Sequence, residues 1–512
     1  MNLTQLLEEN IRTYGDYPLL YDLDKHYTNI EVKQHAMKIA AGLNSLGITA
    51  GDRVIVCMPN CPEVLFCYQG ITRAGAIIVP VMFTLHPREI HFIAANCGAK
   101  AVITSSLVRN KIEEGMMGLK ESPILISIDE AENDKTVNLS QLMNESIQTD
   151  IMEYEPNEEE TAVILYTSGT TGQPKGVRQT HKNLYSNALS SFKHSESERG
   201  TTLGILPLAH AYGLTLSNIA FIAGSSIVIF PKFDPKGIFE AIEKYQVRSF
   251  SAVPAMIHAL LGSPDSENYN LSSFQYIGSG SAPLPISVIQ AFQQKFKADI
   301  HEGYGLSEAS AIVTAQRKGM EYKPGSVGIP IPGVEVKIIA ANGVELPVGQ
   351  VGEVVVRGDN VTPGYYNNTE ESEKAIKDGW LHTGDLGKLD EDGYLFIVDR
   401  QKDLIIRGGF NIYPRDLEEI LNHHKGVSEA AIIGLPDEKM GEQVVACVVK
   451  NSESELTEQE LIAYCQEHLA KNKTPTKIVF LDALPRNGVG KILKNHLRSS
   501  VSEQQSSVPN KL

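Results

Sequence analysis

The segment Tyr166-Thr-Ser-Gly-Thr-Thr-Gly-Gln-Pro-Lys-Gly-Val177 concentrates the groups needed to hold an anion. Its glycines let the backbone turn tightly and bring N–H groups close to a ligand. Thr167, Ser168, Thr170 and Thr171 add hydroxyls around Gly169 and Gly172, and Lys175 adds a cation. The chemistry this suits is retention of a polyphosphate. The segment is not the common P-loop, because Gly-Lys-[Ser/Thr] is absent and Pro174 precedes the lysine. A flexible linker is the bland alternative, but linkers rarely follow an apolar strand such as Thr161-Ala-Val-Ile-Leu165 or hold a rigid Pro-Lys-Gly.

The surrounding pattern shows what must position this loop. Before it, an amphipathic helix (Gln34 to Leu46), a strand (Asp52 to Cys57), a helix (Glu63 to Ala74) and a strand (Gly75 to Pro80) alternate. Such alternation predicts a sheet covered by helices. A second unit of the same kind is expected from about Thr161 to Gly305. After Gly325 the strands Val334 to Ile339 and Gly352 to Arg357, with an Asn342-Gly343 turn between them, predict a hairpin system or small β-barrel. Beyond Asp399-Arg400-Gln401-Lys402 a compact α+β pattern begins. It comprises helices Pro414 to His424 and Glu458 to Ala470, with strands Glu429 to Leu435, Gln443 to Lys450 and Lys477 to Leu481. The fold class expected is therefore α/β: a large N-terminal domain of two helix-covered sheets plus a small β-barrel, then a small α+β C-terminal domain. The Ser/Gln-rich end, 499–512, reads as a disordered tail.

The loop resembles, almost letter for letter, the signature of the adenylate-forming superfamily, which includes acyl-CoA synthetases, luciferases and peptide-synthetase adenylation domains. Further motifs stand in the order that resemblance requires. His301-Glu-Gly-Tyr-Gly-Leu-Ser-Glu308 matches an aromatic-Gly-x-Thr-Glu element, with Ser307 where threonine is commoner. The resemblance implies that Tyr304 stacks on adenine, with Gly303, Gly305 and Ser307 around the nucleotide, and that Glu308 and Thr167 hold Mg²⁺. Gly278-Ser-Gly-Ser-Ala-Pro283 resembles the adenine-contacting turn and contributes Ser281, Ala282 and Pro283. In Asp378-Gly-Trp-Leu-His-Thr-Gly-Asp385, Asp385 is implied to accept both ribose hydroxyls, assisted by Arg400. In Pro485-Arg-Asn-Gly-Val-Gly-Lys491, Lys491 is implied to stabilise charge on the carboxylate and α-phosphate during adenylation.

The resemblance implies a two-step activity with ATP, Mg²⁺ and CoA: formation of an acyl-adenylate, then transfer of the acyl group to the thiol. It implies residues 1–399 as the AMP- and acyl-binding domain and 400–498 as a mobile lid with its hinge at 400–402, Lys402 being the pivot. Lid rotation would withdraw Lys491 and bring Gly408 and Gly409, in Ile406-Arg-Gly-Gly-Phe-Asn411, to the CoA channel. A core histidine is the ordinary reading of His210; the resemblance places it at the substrate carboxylate. No acidic residue lies near it to hold an α-amino group. Val253, Met256, Gly278 and Gly303 complete the implied acyl pocket, the two glycines being expected to leave depth for a medium or long alkyl chain. A fatty acyl-AMP ligase that loads the pantetheine of a carrier protein is the alternative, although no insertion before the hinge is visible. An inactive nucleotide- or acid-binding module is a third reading, disfavoured by retention of Lys175, Glu308, Asp385 and Lys491.

Bulk properties agree with this reading. The 512 residues exceed one simple core, and a net charge of -16 argues against a nucleic-acid partner. No secretory leader is visible, and six cysteines without a CxxC pair read as buried thiols in a reducing compartment, so a cytoplasmic location is expected. The apolar stretch from Leu203 to Pro231 is broken by Pro207, Gly213, Asn218 and Gly224. It predicts a buried helix and the strand Ser226 to Phe230 rather than a transmembrane span, leaving peripheral membrane contact open. Oligomeric state is left open, with a homodimer one option.

Overall fold

The computed structural model describes residues 1–22, 25–129, 136–145, 154–167, 174–196, 198–451, 454–487 and 490–506. Among these, a seven-stranded sheet runs in the order Thr136–Asn138, Ile124–Ser127, Ala101–Thr104, Arg53–Cys57, Ile77–Pro80, Thr161–Thr167 and Lys175–Thr180. Its central strands are apolar on both faces, as burial between two layers of helices requires. Helix Asn29–Ser45 begins earlier than its apolar period suggests, because Thr28 and Glu31 form a reciprocal capping box.

A second sheet joins Thr201–Gly204, Ser226–Ile229, Pro18–Asp22 and Lys25–Thr28. A third joins Ser249–Ala252, Tyr276–Ser279, Asp299–Tyr304, Thr314–Ala315 and Ile329–Pro330. Thr202 Oγ1 donates to the Ser249 carbonyl at 3.1 Å, which sets these two sheets edge to edge. The boundary expected at Thr161 is thus crossed in both directions. The hairpin Thr161–Thr180 completes the first sheet, Ile78 pairing with Val163, while the hairpin at Pro18–Thr28 joins the second. Local alternation of helix and strand reports that a sheet exists but not which sheet each strand joins.

The barrel consists of Val334–Ile339, Gly352–Gly358, Trp380–Leu389, Ile376–Lys377 and Leu395–Arg400. The chain leaves it at Arg400 through the single 3₁₀ turn Gln401–Asp403 and enters a separate sheet of Phe410–Ile412, Ile405–Arg407, Gly441–Lys450, Val427–Asp437 and Lys477–Phe480.

The tail differs from expectation. Residues Lys494–Ser506 form a helix, and Leu497 and Val501, one turn apart, pack at 2% exposure against Ala431, Ile433 and Val445. Two apolar side chains with this spacing anchor a segment whose composition alone suggests disorder. Residues 507–512 lie outside the described residues. Helix Ala211–Ala223 and strand Ser226–Ile229 occupy the apolar stretch, and no helix among the described residues is long and apolar enough to cross a membrane. Five of the six cysteines are buried.

Candidate active site

The loop expected to hold polyphosphate joins two paired strands, with Thr167 opposite Lys175 at its base. Ser168, Gly169, Thr170, Thr171 and Gly172 lie outside the described residues. Lys175 and Thr167 both line a cleft of about 1920 Å³ that runs between the sheets, the barrel and the C-terminal domain. The Lys175 ammonium pairs with Glu371 and lies 5.3 Å from the centre of the Tyr365 ring. Tyr365 in turn donates its hydroxyl to Glu308 Oε1 at 3.0 Å. Glu308 stands on the turn Ser307–Ala309, and its recessed position pushes its carboxyl above the usual range. A carboxylate and a hydroxyl, Glu308 and Thr167, are hard oxygen donors that both line the cleft, a chemistry that suits a Mg²⁺ ion.

Tyr304 and Asp385 meet at the barrel side. Tyr304 Oη donates to Asp385 Oδ2 at 2.6 Å, and Arg400, the cross-strand partner of Asp385, places Nε 3.5 Å from Oδ1. Burial raises the Asp385 carboxyl, opposed by Arg400 and by the Tyr304 hydrogen bond; burial and Asp385 together push the Tyr304 phenol far up. Ser281 carries a positive φ of 71°, a strained backbone for a residue with a Cβ, and lines the cleft with Ala282 and Pro283. Gly305 has a packing role beyond any nucleotide contact: a Cβ there would lie 1.7 Å from the Ala311 carbonyl oxygen.

His210 caps helix Ala211–Ala223, its Nδ1 accepting from the Tyr212 amide at 3.3 Å. That bond leaves the proton on Nε2. Burial pushes His210 down to about 4, so the ring stays neutral near pH 7 and acts as a donor rather than a cation. Val253, Gly278 and Gly303 line the same cleft, whereas Met256 lines a smaller adjoining cavity of about 310 Å³.

The glycines do not leave the expected depth. A Cβ at Gly278 would lie 2.7 Å from Ser251 Oγ and 3.3 Å from Tyr212 Oη, and one at Gly303 would lie 3.2 Å from the Thr314 carbonyl. Neighbouring strands and Tyr212 already fill those spaces. The same cleft is also lined by the apolar Leu203, Leu216, Ile219, Ala220, Ala223 and Ile227 and by the exposed Arg248–Glu198 ion pair.

Lys491 reaches this cleft from the C-terminal domain. Asn487 closes its loop, Oδ1 accepting from the Lys491 amide and the Asn487 amide donating to the Lys491 carbonyl, both at 2.9 Å. The loop rests on the N-terminal part, since a Cβ at Gly490 would lie 3.7 Å from Val253 Cγ2. Lys402 and Arg400 line the cleft; Gly408 and Gly409 do not. These two form an exposed turn with φ of 58° and 81°, flanked by exposed Ile406 and Phe410. The residues that sequence reasoning missed are Glu371 and Tyr365, which hold Lys175 and Glu308, and the Arg498–Asp403 pair at 2.7 Å between the C-terminal helix and the turn Gln401–Asp403. Glu371 offers no signal in a run of charged residues on a short helix, and the helix that carries Arg498 was unforeseen.

The chain is similar to known proteins along most of its length. The family model of AMP-binding enzymes matches residues 7–366, and that of the AMP-binding enzyme C-terminal domain matches residues 416–491. The chain is 34% identical to a long-chain-fatty-acid–CoA ligase of Bacillus subtilis, over 98% of this chain and 95% of that protein. It is also 34% identical to 4-coumarate–CoA ligase 2 of Solanum tuberosum, over 96% and 93%. Among solved structures, ATP-bound MatB from Rhodopseudomonas palustris superimposes with a TM-score of 0.91 at 30% identity, covering 98% of this chain and all of that one. These matches span both parts of the cleft, the one bearing Lys175 and the one bearing Lys491. The chain belongs to the AMP-binding enzyme family.

Proposed function

We propose that the protein is an ATP-dependent acyl-CoA synthetase acting on a medium- or long-chain fatty acid. The observation that carries the reaction is the convergence of Lys175, Glu308, the Tyr304–Asp385 pair, His210 and the lid residue Lys491 on one cleft. In the first step a carboxylate oxygen attacks the α-phosphorus of ATP. The new O–P bond forms as the bond to the β-phosphate oxygen breaks, and pyrophosphate leaves. Lys175 holds the outer phosphates, Asp385 and Arg400 orient the ribose, and the neutral His210 donates from Nε2 to the carboxylate. Lys491 offsets charge that grows between carboxylate and α-phosphate, an effect amplified in a recessed site. Glu308 and Thr167 would hold a Mg²⁺ ion, which when bound would further neutralise phosphate charge.

In the second step the CoA sulfur attacks the acyl carbon, the thiol proton passes to solvent, and AMP departs. Lys491 lines the cleft in this pose and the Gly408-Gly409 turn does not, which supports a first-step arrangement. A rotation about Gln401–Asp403 exchanges the two, which fits the single 3₁₀ turn linking barrel to lid. The apolar passage from Leu203 to Ala223 supports an alkyl chain over a short acid, each buried methylene contributing about 0.8 kcal/mol.

A pyrophosphate-release screen over short, medium and long fatty acids and aromatic acids, with and without CoA, tests the proposal. The expected result is acid-dependent release, greatest with alkyl chains, and thioester only when CoA is present. Release without dependence on any carboxylic acid would overturn the reaction; a preference for aromatic acids would overturn the substrate class.

A further inference from the structure

Two carboxylates, Glu308 and Glu371, stand near Lys175, and neither is a welcome neighbour for a polyphosphate. Glu308 is bonded to Tyr365 and suited to a cation. Glu371 has no such task, yet its Oε2 takes the Lys175 ammonium. We infer that Glu371 is the counter-ion against which polyphosphate competes for Lys175, and that it thereby sets the affinity for ATP and the ease of pyrophosphate release. The inference rests on the reading of Lys175 as the lysine that holds the outer phosphates.

The local geometry favours exchange over a fixed structural bridge. Glu371 joins two lysines: Oε2 meets Lys175, and Oε1 lies 3.1 Å from Lys374, one turn along helix Thr369–Ala375. When Lys175 turns to phosphate, Lys374, which also pairs with Glu370 at 2.7 Å, still faces the Glu371 carboxylate. The helix itself is secured independently, because Asn368 Oδ1 accepts from the Glu371 amide at 3.2 Å. On the other side, the Tyr365 ring offers the ammonium a fixed π face held in place through Glu308. Lys175 therefore moves between partners along a platform that stays put. Both lysines hold the Glu371 carboxyl below the usual range, so it remains an anion throughout an assay near neutrality.

The consequence is a trade of affinity for turnover. A lysine with no competing carboxylate grips the triphosphate more tightly, and grips pyrophosphate more tightly too, which delays the thiol step. Glu371 reclaims Lys175 as pyrophosphate leaves.

The test compares Glu371→Gln, Lys175→Met and the double variant in the full-length protein, each checked by thermal melting. Glu371→Gln should lower KM for ATP and the inhibition constant of pyrophosphate together, by about 3- to 10-fold as befits one partly exposed charge, with KM for the acid unchanged. Lys175→Met should raise KM for ATP, and adding Glu371→Gln to it should change nothing further. If Lys175→Met raises KM but Glu371→Gln leaves it unchanged or raises it, the inference fails and the role of Lys175 stands. If Lys175→Met leaves KM for ATP unchanged, the reading of the lysine falls, and this inference with it.

Discussion

Asp385 is held between Tyr304, whose hydroxyl lies 2.6 Å from Oδ2, and Arg400, whose Nε lies 3.5 Å from Oδ1. The carboxylate proposed to meet a ribose is thus oriented by a phenol from one sheet and a guanidinium from the adjoining barrel strand. Burial raises the Asp385 carboxyl, and the Tyr304 hydrogen bond is one of the forces opposing that rise. Removing the phenol with Tyr304→Phe should therefore raise it further. The acidic limb of kcat/KM for ATP should move to higher pH, because the ionised carboxylate is the form that accepts hydroxyl donors. A limb that stays in place or moves down would separate Tyr304 from the ionisation of Asp385.

Glu302 predicts a second pH effect, on stability. It is 5% exposed, its Oε2 has no partner, and burial pushes its carboxyl up to about 7 from 4.5 against the opposing charge of Arg415 on the lid helix. A carboxyl raised on folding contributes stability that is fully present below about 4.5 and lost as pH rises through about 7. The rise from 4.5 to about 7 corresponds to roughly 3 kcal/mol lost by neutral pH. Glu302→Gln, neutral at every pH, should be more stable than the parent at pH 8 and similar at pH 5, by denaturant titration. Parallel stability curves for the two proteins would contradict this.

Much of the site is legible in the sequence because its chemistry depends on residue types with few other uses in a row. Lys175 in a Gly/Thr loop, Tyr304 and Glu308 four apart, and Lys491 on a glycine loop all come to one cleft. What is not legible is long-range partnership. Lys175 and Glu371 are 196 residues apart, and nothing local marks Glu371 among Glu370, Glu371 and Glu373. Gly278 and Gly303 mislead for the same reason: a glycine leaves room only if nothing else fills it, and Tyr212, Ser251 and the Thr314 strand do. The tail helix depends on two side chains, Leu497 and Val501, whose packing partners lie in distant strands.

The acyl passage yields a specificity prediction at Leu216 rather than at either glycine. Leu216 is half-buried, lines the cleft and packs against the core cluster of Leu203 and Phe250. Leu216→Trp should narrow the apolar part of the cleft, with folding checked by thermal melting. The ratio of kcat/KM for long over short fatty acids should fall by about 10-fold or more, the equivalent of two lost methylenes. An unchanged chain-length profile would remove this passage from the substrate's path.

Lys491 provides the most direct test, since it reaches the cleft from the C-terminal domain, the proposed lid. The measurement is a comparison of two half-reactions in Lys491→Ala: acid-dependent adenylate formation from ATP, and thioester formation from supplied acyl-adenylate and CoA. Adenylation should fall by about 100-fold or more, as for loss of a charge aimed at the reacting centre. The thioester step should remain close to the parent rate, because in the proposed mechanism it uses another lid pose. Equal losses in both half-reactions, or none in the first, would contradict the account.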